Sequence, residues 1–466
     1  MVRGLKRLLV LCLDSVPPAL LFGKLLEKLP NFRKIYENGT HGVLRSCHPP
    51  ITVPAWMVMM TGKNPGRLGI YGFRHRRGSS YNEGYIVNST HVKEPCVWDV
   101  LAEHGLKACV VGLPPSYPPK TIHGNLVSCM ITPSAEKEYT YPLELKREIQ
   151  RLVGEYTFDV PFRIEDRDGV KGHLFEMTEK RFKVAEYLAN NKSWDLFILH
   201  EIGFDRLHHA FWKFFDEAHP KYVKGNKYER IAEEYYSFVD ERVGSLLSAI
   251  GEEASVLVLS DHGSKAMQGA FAINQWLEQM GFVKFVKKPD SVTEFDKAEV
   301  DWSATRAWGW GGYYARIFFN VKGREPQGVI PEQDLPAVKK ELKEKIMHIR
   351  DPTGRPMQNT VFEPEEIYGE AIGDKPDLMV YFNNLDWRSA GTVGHETNYL
   401  SENDTGPDDS VHSMDCVFMF RGGGGGRRRT SQEMKGGNII DIGPTILRLF
   451  DIRPPSEMEG RAIDLD

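Results

Sequence analysis

The sequence predicts an α/β protein with a mostly parallel central sheet and an added cap or insertion. Three observations predict it. Leu8–Leu13 and Ala254–Ser260 (ASVLVLS) are apolar runs without alternation, the pattern of strands buried on both faces. Helical and strand stretches alternate, as in Val97–His104 (VWDVLAEH), a Gly105 cap and then Ala108–Gly112. Strands ending at Leu13, His200 and Ser260 each meet acidic or histidine residues. In open parallel sheets the reactive groups lie beyond the carboxyl ends of strands.

Taken in order, Leu8–Leu13 delivers Asp14. Ala19–Leu29 reads as a helix and Gly42–Leu44 as a short strand. Cys47–Phe73 follows, with Thr52 ahead of the apolar run Trp56–Met60, so a helix should begin near that hydroxyl. Gly69–Asn88, rich in Gly, Arg and Tyr, reads as a loop, and Pro114–Pro119 as a proline-rich connection. Leu143–Val153, Glu176–Asn190 and Tyr228–Ile250 carry helical spacing, with the strand Asp195–His200 between the last two. From about Gly263 the pattern mixes helices (Asn274–Met280, Pro336–Ile349) with an aromatic stretch and the strand-like Tyr314–Val321. The core resumes at Cys416–Phe420 and ends with a helix, Ile442–Phe450. Residues 1–262 and 411–466 are therefore expected to form the catalytic core, and 263–410 the cap. Gly422–Gly426 and Arg427–Arg429 read as a solvated loop, with attraction of anionic substrates as the alternative.

Composition excludes several classes. The 466 residues are 41% hydrophobic and 26% charged, as in folded enzymes rather than disordered chains. Lys and Arg number 59 against 64 acidic residues, a net charge of −5, so no global field draws nucleic acid or anionic membrane. Six scattered cysteines contain no CxxC pair, which argues against a disulfide framework and for a reducing compartment. The basic N-terminus and six-residue apolar run lack a cleavage site, and no run approaches a membrane span. A cytoplasmic location is the expectation.

The candidate chemistry lies in a few short motifs. Thr52 precedes a helix whose free N–H groups and dipole favour an anion such as phosphate; simple capping is the alternative. Asp205 and His209 in GFDRLHHAFW are i and i+4, one helix face and one metal's reach, with His208 pointing elsewhere. Asp261-His262-Gly263 follows a buried strand, where glycine permits a sharp turn; a plain polar turn fits equally well. His412 stands ahead of the late strand, and His395 competes with it. Together Asp14, Asp205, Asp261, His209, His262 and His412 offer three carboxylates and three imidazoles with no thiolate. That set suits Zn²⁺, Mn²⁺ or iron, with enough ligands for two ions besides the Thr52 hydroxyl.

The order Asp14, Thr52-Val53-Pro54, Asp205-x-x-x-His209, Asp261-His262-Gly263 and His412 resembles the alkaline phosphatase superfamily. Within it the chain is most similar to the type I phosphodiesterase/nucleotide pyrophosphatase branch. DIGPTILRLFDI and MEGRAI (Asp441–Ile463) extend the resemblance, and KGREPQGVI (Lys322–Ile330) is similar to prokaryotic members. It implies a three-layer sandwich and two divalent ions, Zn or Mn. One ion would be held by Asp205, His209 and His412, the other by Asp14, Asp261, His262 and Thr52. It further implies that Thr52 attacks phosphorus, that a phospho-threonine forms, and that water activated at the first site releases the phosphate. The substrate would be a small phosphodiester or nucleotide, with no sequence-specific nucleic acid or membrane as partner.

The family's phosphate-binding asparagine has no counterpart in GIYGFRH. Lys63 or Arg74 could take that role, or be surface charges. Trp308 and Trp310, with Tyr313 and Tyr314, could wall a base or be ordinary core. Phosphonate or monoester hydrolysis and mutase-like phosphotransfer are the competing activities, and a metal-bearing binding protein is the competing class. The mutases use serine, and a sulfatase needs a CxPxR setting; neither occurs at Thr52.

Overall fold

The computed structural model describes residues 7–424 and 431–465. Its nine-stranded sheet runs Gln432–Met434, Thr40–Arg45, Asp415–Arg421, Ser255–Leu259, Leu8–Leu13, Leu196–Glu201, Ala108–Val111, Gly124–Val127, Thr140–Tyr141. From Ser255–Leu259 to Gly124–Val127 every neighbouring pair is parallel. Asp415–Arg421 joins antiparallel on one side and Thr140–Tyr141 on the other. Cys12 lies opposite both His200 and Leu259, so the carboxyl ends of three strands finish level.

Alternation along the central strand feeds two cores. Leu9, Leu11 and Leu13 face the helices Leu145–Val153, Arg167–Asn191, Gly203–Phe215 and Ile231–Ile250. Leu8, Val10 and Cys12 face Thr52–Thr61, Val97–Glu103 and Ile442–Leu449. Both faces are covered by helices, which gives the three layers that the apolar strands require.

The segment after Gly263 builds a third apolar cluster around Phe271, Trp276, Trp308, Ile317 and Phe382. Its main sheet runs Ala307–Trp310, Ala315–Phe319, Leu378–Tyr381, Thr360–Phe362, all antiparallel. A two-stranded ribbon, Gly263–Ala266 against Ser410–Ser413, marks where the chain leaves the core and returns.

Several expectations need correction. Ala19–Leu29 is not one α-helix: a π-helical Ala19–Leu25 gives way to a 3₁₀ turn, and a separate helix spans Pro30–Glu37. Proline at that helix's first position sets φ for a new start but cannot continue the preceding turn. The loop over Gly69–Asn88 contains a hairpin, Arg74–Arg76 against Gly84–Ile86. The helix beginning at Glu176 starts nine residues earlier, at Arg167, where the Asp166 carboxylate caps it through Gly169 N–H. Residues 427–429 of the glycine–arginine stretch lie outside the described residues.

His75 sits where hairpin, core and cap meet. Its Nε2 accepts from Tyr71 N–H at 3.1 Å, and the hydroxyl of Tyr314 from the cap reaches the Tyr71 carbonyl at 2.8 Å. Burial, then the nearby Arg316 and His91, push the imidazole from 6.5 to about 3. Protonation would also remove the acceptor that Tyr71 uses. The neutral ring's contribution is fully present above pH 6.5 and is lost as pH falls toward 3. Going from about pH 7 to about pH 5 should cost about 2 kcal/mol through this residue. Denaturant titrations should show a shallower acid slope for His75→Gln, which keeps an acceptor but does not titrate.

Candidate metal centre

The level strand ends bring Asp14 and Asp261 together. Asp14 follows Leu13, and its Oδ2 receives Trp56 Nε1 at 2.9 Å and His200 Nε2 at 2.7 Å. Asp261 Oδ1 receives Ser15 N–H at 3.0 Å. Each carboxylate keeps one buried oxygen without a hydrogen bond, Asp14 Oδ1 and Asp261 Oδ2. Both point toward His262 Nε2, at 3.7 and 3.1 Å.

Thr52 joins them from the helix Thr52–Thr61. Ile51, not Thr52, holds the N-cap position, and no side chain caps this helix. The threonine hydroxyl is thereby left for the site, 3.4 Å from His262 Nε2. The capping alternative does not describe this residue.

A second group lies alongside. On the helix Gly203–Phe215 the i, i+4 spacing puts Asp205 Oδ1 3.2 Å from His209 Nε2. His412 arrives on the ribbon, where Ser264 opposes it, and its ring stacks on His262 at 3.7 Å. Its Nε2 lies 3.3 Å from His209 Nε2 and 3.7 Å from Asp205 Oδ1. Gly263 serves close approach here: a Cβ would stand 2.4 Å from Ser413 Oγ and 2.6 Å from the Asp415 carbonyl.

Each imidazole donates through Nδ1, which leaves the Nε2 lone pair of His412 and His262 facing inward and points the Nε2 of His209 at Asp205. His412 donates to the Pro50 carbonyl at 2.7 Å, His262 to Gly263 at 3.1 Å, and His209 to Asp408 at 2.7 Å. This outer support is what metal-binding histidines require. Asp408 is anchored in turn by Arg388 Nη1 at 2.6 Å and Arg163 Nε at 2.9 Å. Arg206 holds the far oxygen of Asp205 at 2.6 Å.

The electrostatics fit missing positive charge. Asp14 Oδ1, Asp205 Oδ1 and Asp261 Oδ2 are all buried and unbonded, an expensive state for carboxylates. Burial, then Asp14, pushes Asp261 well above the usual carboxylate range. Burial opposes ionisation of Asp205 too, but His209, Arg206 and His412 outweigh it and hold the carboxyl low. Burial, with His262 next, keeps His412 neutral. Burial also disfavours charge on His209, yet Asp408, Tyr313 and Asp205 raise it to about 10, so a proton occupies the place a cation would contest. Two sets bring ligand atoms within 4.8 Å of one another, Asp14/Asp261/His262 and Asp205/His262/His412. His262 belongs to both, so the geometry alone does not divide the ligands into two pairs of hands.

The remaining candidates are dispersed. His208 bonds Ser15 Oγ and Tyr236 OH on another side, and burial lowers it to about 3. His395 pairs with Thr392 within the cap. Lys63 lies beyond the far end of the Thr52 helix, about 15 Å along its axis from Thr52, buried and paired with Glu94. Trp308 is fully buried in the cap core against Phe318 and Trp302, so it is not a substrate wall. Arg74 and Trp310 line a separate cavity. Of the aromatic stretch, Tyr313 is the residue that reaches the centre, its OH 3.0 Å from His209 Nε2 and its ring 3.7 Å from His412.

The model of the family "Type I phosphodiesterase / nucleotide pyrophosphatase" matches residues 8–408, which include Asp14, Thr52, Asp205, His209, Asp261 and His262. The chain belongs to this family. It is a phosphoester hydrolase of the alkaline phosphatase superfamily, and His412 lies just past the matched segment. No curated protein matches the chain in a sequence search. Among solved structures it is similar to the human ectonucleotide pyrophosphatase/phosphodiesterase 5, with 14% identity and a TM-score of 0.57, covering 99% of this chain and 96% of that one. The murine counterpart, an inactive variant in complex with AMP, has the same identity and TM-score, covering 97% and 96%. At this identity the likeness shows the shared fold.

Asp408, Arg206, Trp56 and His200 support the centre without having been assigned a role from sequence, and Tyr313, expected only as part of an aromatic wall, contacts His209. Asp408→Ala should weaken divalent-metal affinity about 10–100-fold while saturating metal restores full content, because it removes the acceptor that orients His209. Calorimetric titration of the chelated protein checks this.

Proposed function

We propose that the protein hydrolyses small phosphodiesters or nucleotide pyrophosphates, with Thr52 as nucleophile and two divalent ions, Zn or Mn, held by Asp14, Asp261, His262, Asp205, His209 and His412. The observation that carries the reading is the Thr52 hydroxyl, free of any capping role, standing 3.4 Å from Nε2 of His262, the residue common to both groups of candidate metal ligands. Such ions, when bound, lower the hydroxyl's pKa and neutralise phosphate charge.

The chain's own groups do the rest. The helix that begins at Thr52 presents first-turn N–H groups to a phosphoryl oxygen. Thr52 Oγ forms a bond to phosphorus as the bond to the leaving alcohol's oxygen breaks. Water then attacks the phospho-threonine and frees the hydroxyl again. We assign to Tyr313 OH, which Arg163 Nη2 holds at 3.2 Å, the contact to a phosphate oxygen that the family makes through an asparagine. All six cysteines are free thiols, which supports a cytoplasmic location.

The first test is turnover of an aryl phosphodiester against the matching monoester, with Zn²⁺ or Mn²⁺ restored after chelation. Diester preference is expected; monoester preference would move the protein toward phosphatase or mutase chemistry, and silence on both toward phosphonates or a binding role. Thr52→Ala should lower kcat by about a thousandfold or more with metal content unchanged. Intact-mass analysis of quenched wild-type enzyme should show added phosphate that the variant lacks. Near-normal turnover in Thr52→Ala would overturn the nucleophile assignment. Asp205→Asn should bind about one ion fewer per chain, measured by elemental analysis.

A further inference from the structure

A cavity of about 660 Å³ opens between the hairpin Arg74–Ile86 and the cap, within the range of small-molecule sites. None of the seven candidate ligand residues lines it. Arg316 lies in its wall, over nine-tenths buried at 7% exposure. Its Nη1 donates to the Arg74 carbonyl, and its guanidinium stands 5.1 Å from the ring centroid of Trp310. Neither Arg316 nor Arg74 has a carboxylate within ion-pair distance among the described residues. Asp374, the carboxylate that acts on Arg316 from further away, is committed to Arg76 at 2.8 Å.

A buried guanidinium without a counter-ion is costly, and planar donors of this kind suit phosphate or carboxylate. Trp310 adds a half-buried indole in the same wall. The lining also carries Asp296 and Asp404, acceptors for hydroxyl or amino groups, although Asp404 Oδ2 already receives Gly391 N–H and Thr392 Oγ1, and Glu294 is paired with Lys297 at 2.8 Å. An inorganic anion would use only the cationic end. A ligand with an anionic group, a flat ring and hydroxyl or amino donors uses the whole wall.

We propose that this cavity is a binding site for a small anionic molecule bearing a flat ring, of which a nucleoside monophosphate is a simple example. Tyr313, whose OH lies 3.0 Å from His209 Nε2, sits in the turn that joins Trp310 to Arg316, so one hairpin of the cap contributes to both sites. The ligand is thus either the far half of a diester held at Thr52 or a separate effector, and both have the same chemistry.

The test uses the full chain. AMP is titrated calorimetrically into chelated protein, so that the result does not depend on metals or turnover. Binding is expected, weakened about tenfold or more in Arg316→Gln and in Arg74→Gln; the exposed Arg74 gives a variant whose folding is not at risk. Wild-type affinity in Arg74→Gln and in folded Arg316→Gln, or no AMP binding to the wild type, would overturn the proposal. With metal restored, AMP competing with the aryl diester in a way that Arg74→Gln relieves identifies the far half of a substrate. Arg74-dependent binding that changes turnover without competing identifies an effector.

Discussion

The structure depends on unbalanced negative charge at the carboxyl edge of the sheet. Three carboxylates are buried within one small volume, each with an oxygen whose near polar neighbours are imidazole nitrogens. A folded chain does not keep such groups dry without compensation. Arg206 balances one carboxylate, and a proton on His209 relieves part of the rest. On His262 and His412, which burial keeps neutral, Nε2 cannot serve as a donor while Nδ1 holds the proton, so these rings add lone pairs rather than positive charge. The arrangement suits bound cations, and the outer bonds of His262 and His412 leave their Nε2 atoms free to meet one.

That edge is produced by ordinary sheet mechanics. Parallel strands of equal register end together, and the residue following each one enters the same crevice. Asp14 and Asp261 need nothing more than this. Asp205 and His209 need one helical turn, and Thr52 needs a helix that starts one residue too early for it to be a cap. His412 needs more: it is carried back to His262 by the ribbon that closes the cap, where Gly263 lets the two strands approach.

Legibility in the sequence follows the range of the interaction. Leu8–Leu13, Ser255–Leu259 and the helix Ile231–Ile250 were readable because continuous burial or helical spacing is written locally. The first turns of Arg167–Asn191 were not, since they are polar and contain Gly169 and Gly172. Cap strands of two to four residues are too short for a period to show, as in Thr360–Phe362. At the site, the motif residues were found because their neighbours are distinctive. Asp408 bonds His209 across 199 residues, and such a contact leaves no trace in either local pattern. The aromatic stretch misled for the same reason: alternation puts Trp308 in the cap core and Trp310 beside a cavity, while the Gly311-Gly312 break turns Tyr313 to the centre.

The cap is therefore part of the centre and not a cover over it. Tyr313 and Asp408 contact opposite nitrogens of His209 from cap positions 95 residues apart, and Arg388 joins them, bonding Asp408 and lying 4.2 Å over the Tyr313 ring. Without Asp408, His209 Nδ1 would keep Ser410 Oγ, at 3.1 Å, as its partner among the described residues, so the cap's carboxylate supplies the charged half of that ring's support. The hairpin's Tyr71–His75 bond and the Tyr314 hydroxyl brace that same joint from the far side. A neutral His75 thus helps hold Tyr71, and through it the cap's Tyr314, in place at this joint.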